Sequence, residues 1–190
     1  MAMTSLFERQ TAELREALSH LTGFHRQVAD VAQQLQEAFA ADKKVYVAGN
    51  GGSATQAQHL AEEFMVRYRR ERRAYPVVAL SADGAALTCI GNDFGFDRVF
   101  ERQIEALGQE GDIFIGLSTS GNSENILRAA QQARARGMTI VALTGPHGKL
   151  KDMADYAIEA PTENAARMQE LHLHAIHLMC EAFEPGEAGK

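Results

Sequence analysis

The chain has 190 residues, and its 25 acidic side chains outnumber the 19 basic ones, which gives a formal net charge of −6. This length is typical of one domain, and a hydrophobic content of 45% is enough to form a full core. The acidic balance disfavours a protein whose main partner is nucleic acid or an anionic membrane surface. The composition therefore predicts one globular domain with another kind of partner.

The two cysteines, Cys89 and Cys180, lie far apart and outside any CxxC pair. This usage indicates neither a disulfide framework nor a thiolate zinc site, and it is typical of a reducing compartment. The first 21 residues carry charges throughout, and no apolar run approaches the roughly 18 residues that span a bilayer. We expect a soluble, cytoplasmic protein.

Residues 1–42 predict a helical N-terminal extension. Its apolar residues recur at steps of three and four, at Leu14, Leu18, Leu21, Phe24, Val28, Val31, Leu35 and Phe39. Gly23 predicts a break into two helices. The apolar face fits a packed core and a bundle between subunits equally well.

From Lys43 onward, short apolar runs alternate with segments that have a helical pattern. The predicted strands are 45–48, 77–80, 113–117, 139–143 and 156–158, and the predicted helices are 54–67, 84–91, 97–108 and 123–136. Apolar runs without polar alternation are strands buried on both faces, and their alternation with helices predicts a parallel sheet. Residues 43–184 therefore predict an α/β three-layer sandwich around a five-stranded parallel sheet, closed by a long C-terminal helix.

The predicted C-terminal helix, from Asn164 to Phe183, is apolar on almost every side. A helix of this kind is buried on every side, and one domain of this length has little left to cover it. The helix therefore predicts a homo-oligomer.

A glycine-rich turn, Gly49-Asn50-Gly51-Gly52-Ser53, follows the first predicted strand. Open parallel sheets bind ligands at the carboxyl ends of their strands, so this turn is a candidate site. With Ala54, this turn matches a dinucleotide fingerprint. That fingerprint also needs an acidic residue about 20 positions later, at the end of the second strand, but the predicted second strand ends at Ser81. Close backbone approach to an oxygen-rich ligand is favoured, and a dinucleotide site is the alternative.

A hydroxyl-rich turn, Ser-Thr-Ser-Gly-Asn-Ser over residues 118–123, leads from the third predicted strand into a helix. Hydroxyls and backbone N–H groups at a helix N-terminus form an anion site without net positive charge. The turn contains no Walker-type lysine, so hydrolysis of a nucleoside triphosphate is not indicated. It predicts a phosphate monoester site, and an ordinary helix cap is the alternative.

Candidate metal ligands lie on two predicted helices. His59 and Glu63 are four residues apart and share one helix face, and the C-terminal helix carries Gln169, His172, His174 and His177. Two imidazoles, a carboxylate and an amide oxygen would suit zinc or a similar divalent ion, and a surface His–Glu pair is the simpler alternative. Gln169 and His177 stand about 12 Å apart along a helix, so they share an ion only if both bend inward or come from different subunits.

Together these motifs resemble the sugar isomerase (SIS) family, and within it the phosphoheptose isomerases. The resemblance runs from about Lys43 to Phe183. It rests on residues 49–53, 59–63, 91–95 and 118–123, and on Gln169-Glu170-Leu171-His172 with His177. It implies that residues 1–190 form a single SIS domain.

The resemblance also implies a role for each matching residue. Substrate hydroxyls would be bound by Asn50, Gly51, Gly52, Ser53, Asn92, Asp93 and Gln169, and the phosphate by Ser118, Thr119, Ser120 and Ser123. Glu63 would contact substrate as the general base, with His177 as its acid partner. One zinc ion per subunit would be held by His59, Glu63, Gln169 and His177.

The implied activity is the interconversion of sedoheptulose 7-phosphate and D-glycero-D-manno-heptose 7-phosphate through an enediol, which feeds heptose synthesis for the lipopolysaccharide core. One carboxylate can remove the proton from one carbon and return it to the next. The resemblance implies a homotetramer with sites at subunit interfaces, and the acidic balance predicts no nucleic-acid or membrane partner. In one departure, Ala166 stands where family members often carry an acidic residue.

A non-enzymatic alternative has the same fold and tetramer but binds the replication initiator protein. These binding relatives lack the helix-borne glutamate at the position of Glu63, so its presence favours the enzyme. The five arginines of residues 67–73 are interpreted as a solvated helix end rather than a nucleic-acid site.

Overall fold

The computed structural model describes residues 3–184 and 186. Within these residues, the helices are α1 (Met3–Ser19), α2 (Thr22–Ala40), α3 (Gly52–Met65), α4 (Gly84–Phe94), α5 (Glu101–Leu107), α6 (Glu124–Ala135), α7 (Lys149–Met153) and α8 (Ala165–Glu181). The strands are β1 (Val45–Gly49), β2 (Val77–Ala79), β3 (Ile113–Ser118), β4 (Thr139–Thr144) and β5 (Tyr156–Glu159). A 3₁₀ turn over Phe96–Arg98 precedes α5.

The strands form one parallel sheet in the order β2-β1-β3-β4-β5. Every residue of β1 and β3 is buried, as the runs without polar alternation predict. The predicted fold class and all five strands are therefore confirmed. The chain leaves β1 toward β2 on one side and later returns to β3 on the other, which makes the carboxyl ends of β1 and β3 a topological switch point.

Apolar side chains pack on both faces of the sheet. Val45 and Val47 of β1 face a core that includes residues of α2, α3 and α8, while Tyr46 and Ala48 face a second core with α5 and α6. Side chains alternate between the faces of a strand, so each strand contributes to both cores. The result is the predicted three-layer arrangement of helices, sheet and helices.

The N-terminal extension forms two helices as predicted, but the predicted break at Gly23 is wrong. The helices separate at His20 and Leu21, and Gly23 lies in the first turn of α2. Leu21 is buried with Phe24 and Val28, so the apolar side chains that enter the core fix the bend. A glycine near a helix start is tolerated, because the first turn lacks several internal hydrogen bonds anyway.

Other differences lie between the strands. The predicted helix over 97–108 is a 3₁₀ turn followed by the short helix α5, and the short helix α7 has no counterpart in the predictions. Both cysteines are free thiols, as expected. None of the helices among the described residues is both long and apolar enough to cross a membrane.

Helix α8 packs against α1, α2, α3 and β4. It buries Leu171, Ala175, Ile176 and Met179 completely or nearly so, while Leu173 and Leu178 are only half-buried within one chain. The helix is thus covered on one side by its own chain, and burial of the other side in an oligomer stays a prediction.

Candidate active site

The glycine-rich turn joins β1 to α3 at the carboxyl edge of the sheet. A Cβ on Gly49 would lie 2.5 Å from the carbonyl oxygen of Ser53, and one on Gly52 would lie 2.8 Å from Nε2 of Gln169. Gly51 has a φ of +54°, in the left-handed region that favours glycine. Because Gly51 and Gly52 are also exposed, their backbone is open to a ligand at this edge.

The hydroxyl-rich turn joins β3 to α6 at the same edge. The Oγ atom of Ser118 lies 3.4 Å from that of Ser120 and 3.1 Å from that of Ser123. Ser123 is the N-cap residue of α6, yet its side chain makes no capping hydrogen bond, so the ordinary cap is not what this hydroxyl forms. Three hydroxyls thus converge at a helix N-terminus, with the half-buried Thr119 beside them, and can hold a phosphate group.

The two turns lie side by side because β1 and β3 are neighbouring parallel strands. Asn50 follows β1 directly, and its side chain exchanges two hydrogen bonds, of 2.9 Å and 2.8 Å, with that of Asn125 in the first turn of α6. Both predicted turns therefore lie at the topological switch point, the usual ligand site of an open α/β sheet.

Three predicted metal ligands meet between α3 and α8. His59, Glu63 and His177 each offer a ligand atom, and these atoms all lie within 4.8 Å of one another. Nε2 of His59 lies 3.0 Å from Oε1 of Glu63, and the ring centroids of His59 and His177 are 5.3 Å apart. The side chain of Glu63 is only 14% exposed and that of His59 is 38% exposed, so the carboxylate of this pair is mostly buried. We call His59, Glu63 and His177 the triad.

Two further side chains surround the triad. The ring of Tyr68 stacks on that of His177, with a centroid distance of 5.8 Å. Burial, followed by the negative charge of Glu63, raises the pKa of Cys180 to about 12. The thiol therefore stays protonated at neutral pH when no metal is bound.

The contact between α3 and α8, which we call the α3–α8 seam, also includes Gln169, at the end near the glycine-rich turn. The amide of Gln169 lies against Gly52, and its backbone oxygen accepts a hydrogen bond of 2.6 Å from Nε2 of Gln56. His177 lies about two turns further along α8, beside His59. The role of Gln169 as a fourth metal ligand stays a prediction.

Residues 67–73 follow α3 but are not helical, so their interpretation as a helix end is wrong. Arg72 nevertheless donates a hydrogen bond of 2.6 Å to the carbonyl oxygen of Glu63, near the C-terminus of α3, where a cation is favourable. Glu184 accepts a hydrogen bond of 2.9 Å from the backbone N–H of Arg70. The segment thus joins the ends of α3 and α8 next to the triad.

Asn92 and Asp93 lie in the exposed last turn of α4. Nδ2 of Asn92 donates a hydrogen bond of 2.7 Å to Oδ1 of Asp93, and α4 buries none of its residues. Ala166 is exposed in the first turn of α8, where its N–H donates to Oδ1 of Asn164 at 3.0 Å. Among the described residues of one chain, the side chains of Asn92 and Asp93 form no hydrogen bond with either turn.

Asn125 and Tyr68 belong to none of the motifs that the sequence indicates. The position of Asn125 gives a weak indication of its role. It lies in the first turn of a helix that follows a ligand-binding turn, where a side-chain amide has few hydrogen-bond partners except the ligand or a neighbouring turn. Tyr68 lies in a segment without helical or strand periodicity, so nothing in the sequence indicates that it reaches His177. Contacts of both kinds become visible only in three dimensions.

Comparisons with known proteins agree with this geometry. Residues 7–145 match the SIS domain family. A phosphoheptose isomerase from Nitratiruptor sp. is 45% identical over 179 residues, covering 94% of this chain and 90% of that protein. Solved phosphoheptose isomerases from Francisella tularensis (TM-score 0.85, 35% identity, 95% of both chains) and Neisseria gonorrhoeae (TM-score 0.82, 39% identity, 94% of both chains) are similar in structure. The chain therefore belongs to the phosphoheptose isomerase family of SIS-domain proteins.

Proposed function

We propose that the chain is a phosphoheptose isomerase that interconverts sedoheptulose 7-phosphate and D-glycero-D-manno-heptose 7-phosphate through an enediol. The observation that carries the proposal is the mostly buried carboxylate of Glu63, grouped with the imidazoles of His59 and His177 in a chain of this family. A base held in this way suits proton transfer between adjacent carbons.

Substrate binding is divided between the two turns at the sheet edge. The phosphate is held by Ser118, Thr119, Ser120 and Ser123, and sugar hydroxyls are bound by Asn50, Gly51, Gly52 and Ser53, with Asn92, Asp93 and Gln169 as further contacts. The converging hydroxyls at the start of α6 support the first assignment, and the exposed glycine backbone supports the second. Anchoring the remote phosphate holds the reacting carbons in place for proton transfer.

Glu63 removes the proton from the carbon beside the carbonyl group and returns it to the neighbouring carbon. His59, within hydrogen-bond distance of Glu63, holds the carboxylate in one orientation. His177 gives a proton to the carbonyl oxygen, on which negative charge develops, and this forms the enediol. When Glu63 returns its proton to the neighbouring carbon, His177 takes the proton of the other hydroxyl group as that oxygen becomes the new carbonyl, so both residues return to their starting protonation states.

The triad also fits a divalent metal, because two imidazoles and a carboxylate are ligands that zinc prefers. His59, Glu63 and His177 would hold one zinc ion per subunit, with Gln169 as the fourth ligand. A zinc ion held by these residues would supply Lewis-acid polarisation of the substrate carbonyl, in place of the proton from His177.

We further propose a cytoplasmic homotetramer, formed by a single SIS domain over residues 1–190 and active in supplying heptose for the lipopolysaccharide core. The exposed apolar side chains of Leu6, Phe7 and Phe96, with the half-buried face of α8, support an oligomer. Light scattering should give about four times the 20.8 kDa chain mass. A stable monomer would contradict this assembly.

The activity is tested by incubating the purified chain with sedoheptulose 7-phosphate and following the formation of an aldoheptose phosphate by NMR. The assay is run after chelation and again with zinc restored in steps, so that a metal requirement is measured separately from activity. We expect product in at least one metal state. If none forms at any zinc concentration, the isomerase assignment fails, and the initiator-binding alternative becomes the better hypothesis.

A further inference from the structure

The switch point contains a pair of side-chain amides, Asn50 and Asn125, of which the proposed function gives a role only to Asn50. Nδ2 of Asn50 donates to Oδ1 of Asn125 at 2.9 Å, and Nδ2 of Asn125 donates back to Oδ1 of Asn50 at 2.8 Å. Asn125 is only 3% exposed, whereas Asn50 is half-buried at the edge of the turn. The buried member thus supports the member that a ligand can reach.

The hydrogen-bonding capacity of an amide shows what this pairing leaves available. A carboxamide has two N–H donors and an oxygen that accepts two hydrogen bonds, and the reciprocal pair uses one of each on both residues. Asn50 therefore keeps one donor and one acceptor position for a ligand. Without Asn125, the carboxamide of Asn50 would rotate almost freely, because the terminal torsion of asparagine has broad minima.

We propose that Asn125 is a positioning residue that fixes the carboxamide of Asn50 for the sugar hydroxyls of the substrate. The inference rests on the proposed function, in which Asn50 contacts those hydroxyls. Asn125 belongs to the first turn of α6, the helix whose N-terminus faces the phosphate site. The amide pair thereby also fixes the separation between the phosphate turn and the glycine turn.

A simple packing role does not account for the pair. Burying a polar amide costs free energy unless its hydrogen bonds are satisfied, and an aliphatic side chain of similar size would fill the same space. The pair instead joins two turns that are 75 positions apart in the sequence. A fixed orientation lowers the entropy lost when the substrate binds, which is the gain expected from a positioning residue.

The test is a double-mutant cycle with Asn50→Ala, Asn125→Ala and the double variant. The affinity for sedoheptulose 7-phosphate is measured by calorimetry, and inhibition by inorganic phosphate is measured in parallel. We expect Asn125→Ala and Asn50→Ala each to weaken sugar-phosphate affinity about tenfold, and the double variant to be no more than about twofold worse than either. Affinity for inorganic phosphate should change less than about twofold, because the hydroxyl-rich turn is untouched.

Gln131→Ala is the matched control, since Gln131 is an exposed amide on the same helix. Losses that multiply in the double variant, or an equal loss of inorganic phosphate affinity, would overturn the positioning role. If Asn125→Ala unfolds, Asn125→Leu takes its place in the cycle with the same expected coupling. A parent chain that binds the sugar phosphate without isomerising it would refute the proposed function, whereas the affinity ratios would still decide the role of Asn125.

Discussion

The sheet edge and the α3–α8 seam are built in different ways. At the sheet edge, each turn is a continuous stretch of sequence, and its geometry depends on strand ends, glycine backbone and hydroxyls within a few residues of one another. At the seam, the triad joins side chains from two helices that are more than a hundred positions apart. We infer that binding depends mainly on the first region and proton transfer on the second.

The largest effect is expected for a substitution of Glu63, in the α3–α8 seam. Glu63→Gln keeps the shape but removes the basic carboxylate, so kcat should fall at least about a hundredfold, the lower range for general base catalysis. Glu62→Gln is the matched control, because Glu62 is an exposed carboxylate on the same helix. Steady-state kinetics with saturating zinc check this prediction. Full recovery of the rate with zinc would reduce Glu63 to a metal ligand.

A smaller effect is expected at the hydroxyl-rich turn. Ser120→Ala or Ser123→Ala removes a hydrogen bond to a charged phosphate, which contributes about 1.5–3 kcal/mol. Ground state and transition state carry the same phosphate, so KM should rise at least about tenfold with little change in kcat. Ser19→Ala, at an exposed serine that ends α1, is the control. An unchanged KM in both turn variants would remove the phosphate assignment.

The smallest effect concerns stability where the two regions join. His172 on α8 is fully buried and lies 3.2 Å from the carbonyl oxygen of Thr144, at the end of β4. Burial lowers the pKa of His172 to about 4, although the bond to Thr144 opposes this shift. The neutral ring therefore stabilises the fold above the unfolded pKa near 6.5, and this contribution is lost as the pH falls toward 4.

Between pH 7 and pH 5, His172 should account for a loss of about 2 kcal/mol in the free energy of unfolding. Urea denaturation of the parent and of His172→Gln at both pH values measures this difference. The variant should be less stable at pH 7 but lose less stability on acidification. His20→Gln, at an exposed histidine, should keep the pH dependence of the parent. Equal pH dependence in His172→Gln and the parent would contradict the assignment.

The parts that the sequence predicts well are those set by local chemistry. Five apolar runs identify the strands, of which β1 and β3 are buried throughout, and parallel strand ends bring their exit turns to one edge. The helix spacing of His59 and Glu63 correctly predicts a shared face. The resemblance adds His177, which local patterns alone leave as one of several histidines.

The parts that the sequence misses depend on tertiary packing. The break between α1 and α2 lies at His20 and Leu21 rather than at Gly23, and Leu21 is buried. The amide of Asn125 has no local sign of its distant partner, and Tyr68 lies in an irregular segment. Such contacts are formed by elements that meet only after folding, so no window of sequence contains both partners.

The most direct test of this division is to measure kcat and the substrate dissociation constant for Glu63→Gln and Ser120→Ala in one buffer. We expect Glu63→Gln to keep its affinity within about threefold of the parent while turnover falls at least about a hundredfold. Ser120→Ala should show the opposite pattern, with weakened affinity and turnover within about threefold of the parent. If either variant loses affinity and turnover to the same degree, the two regions do not divide binding from proton transfer.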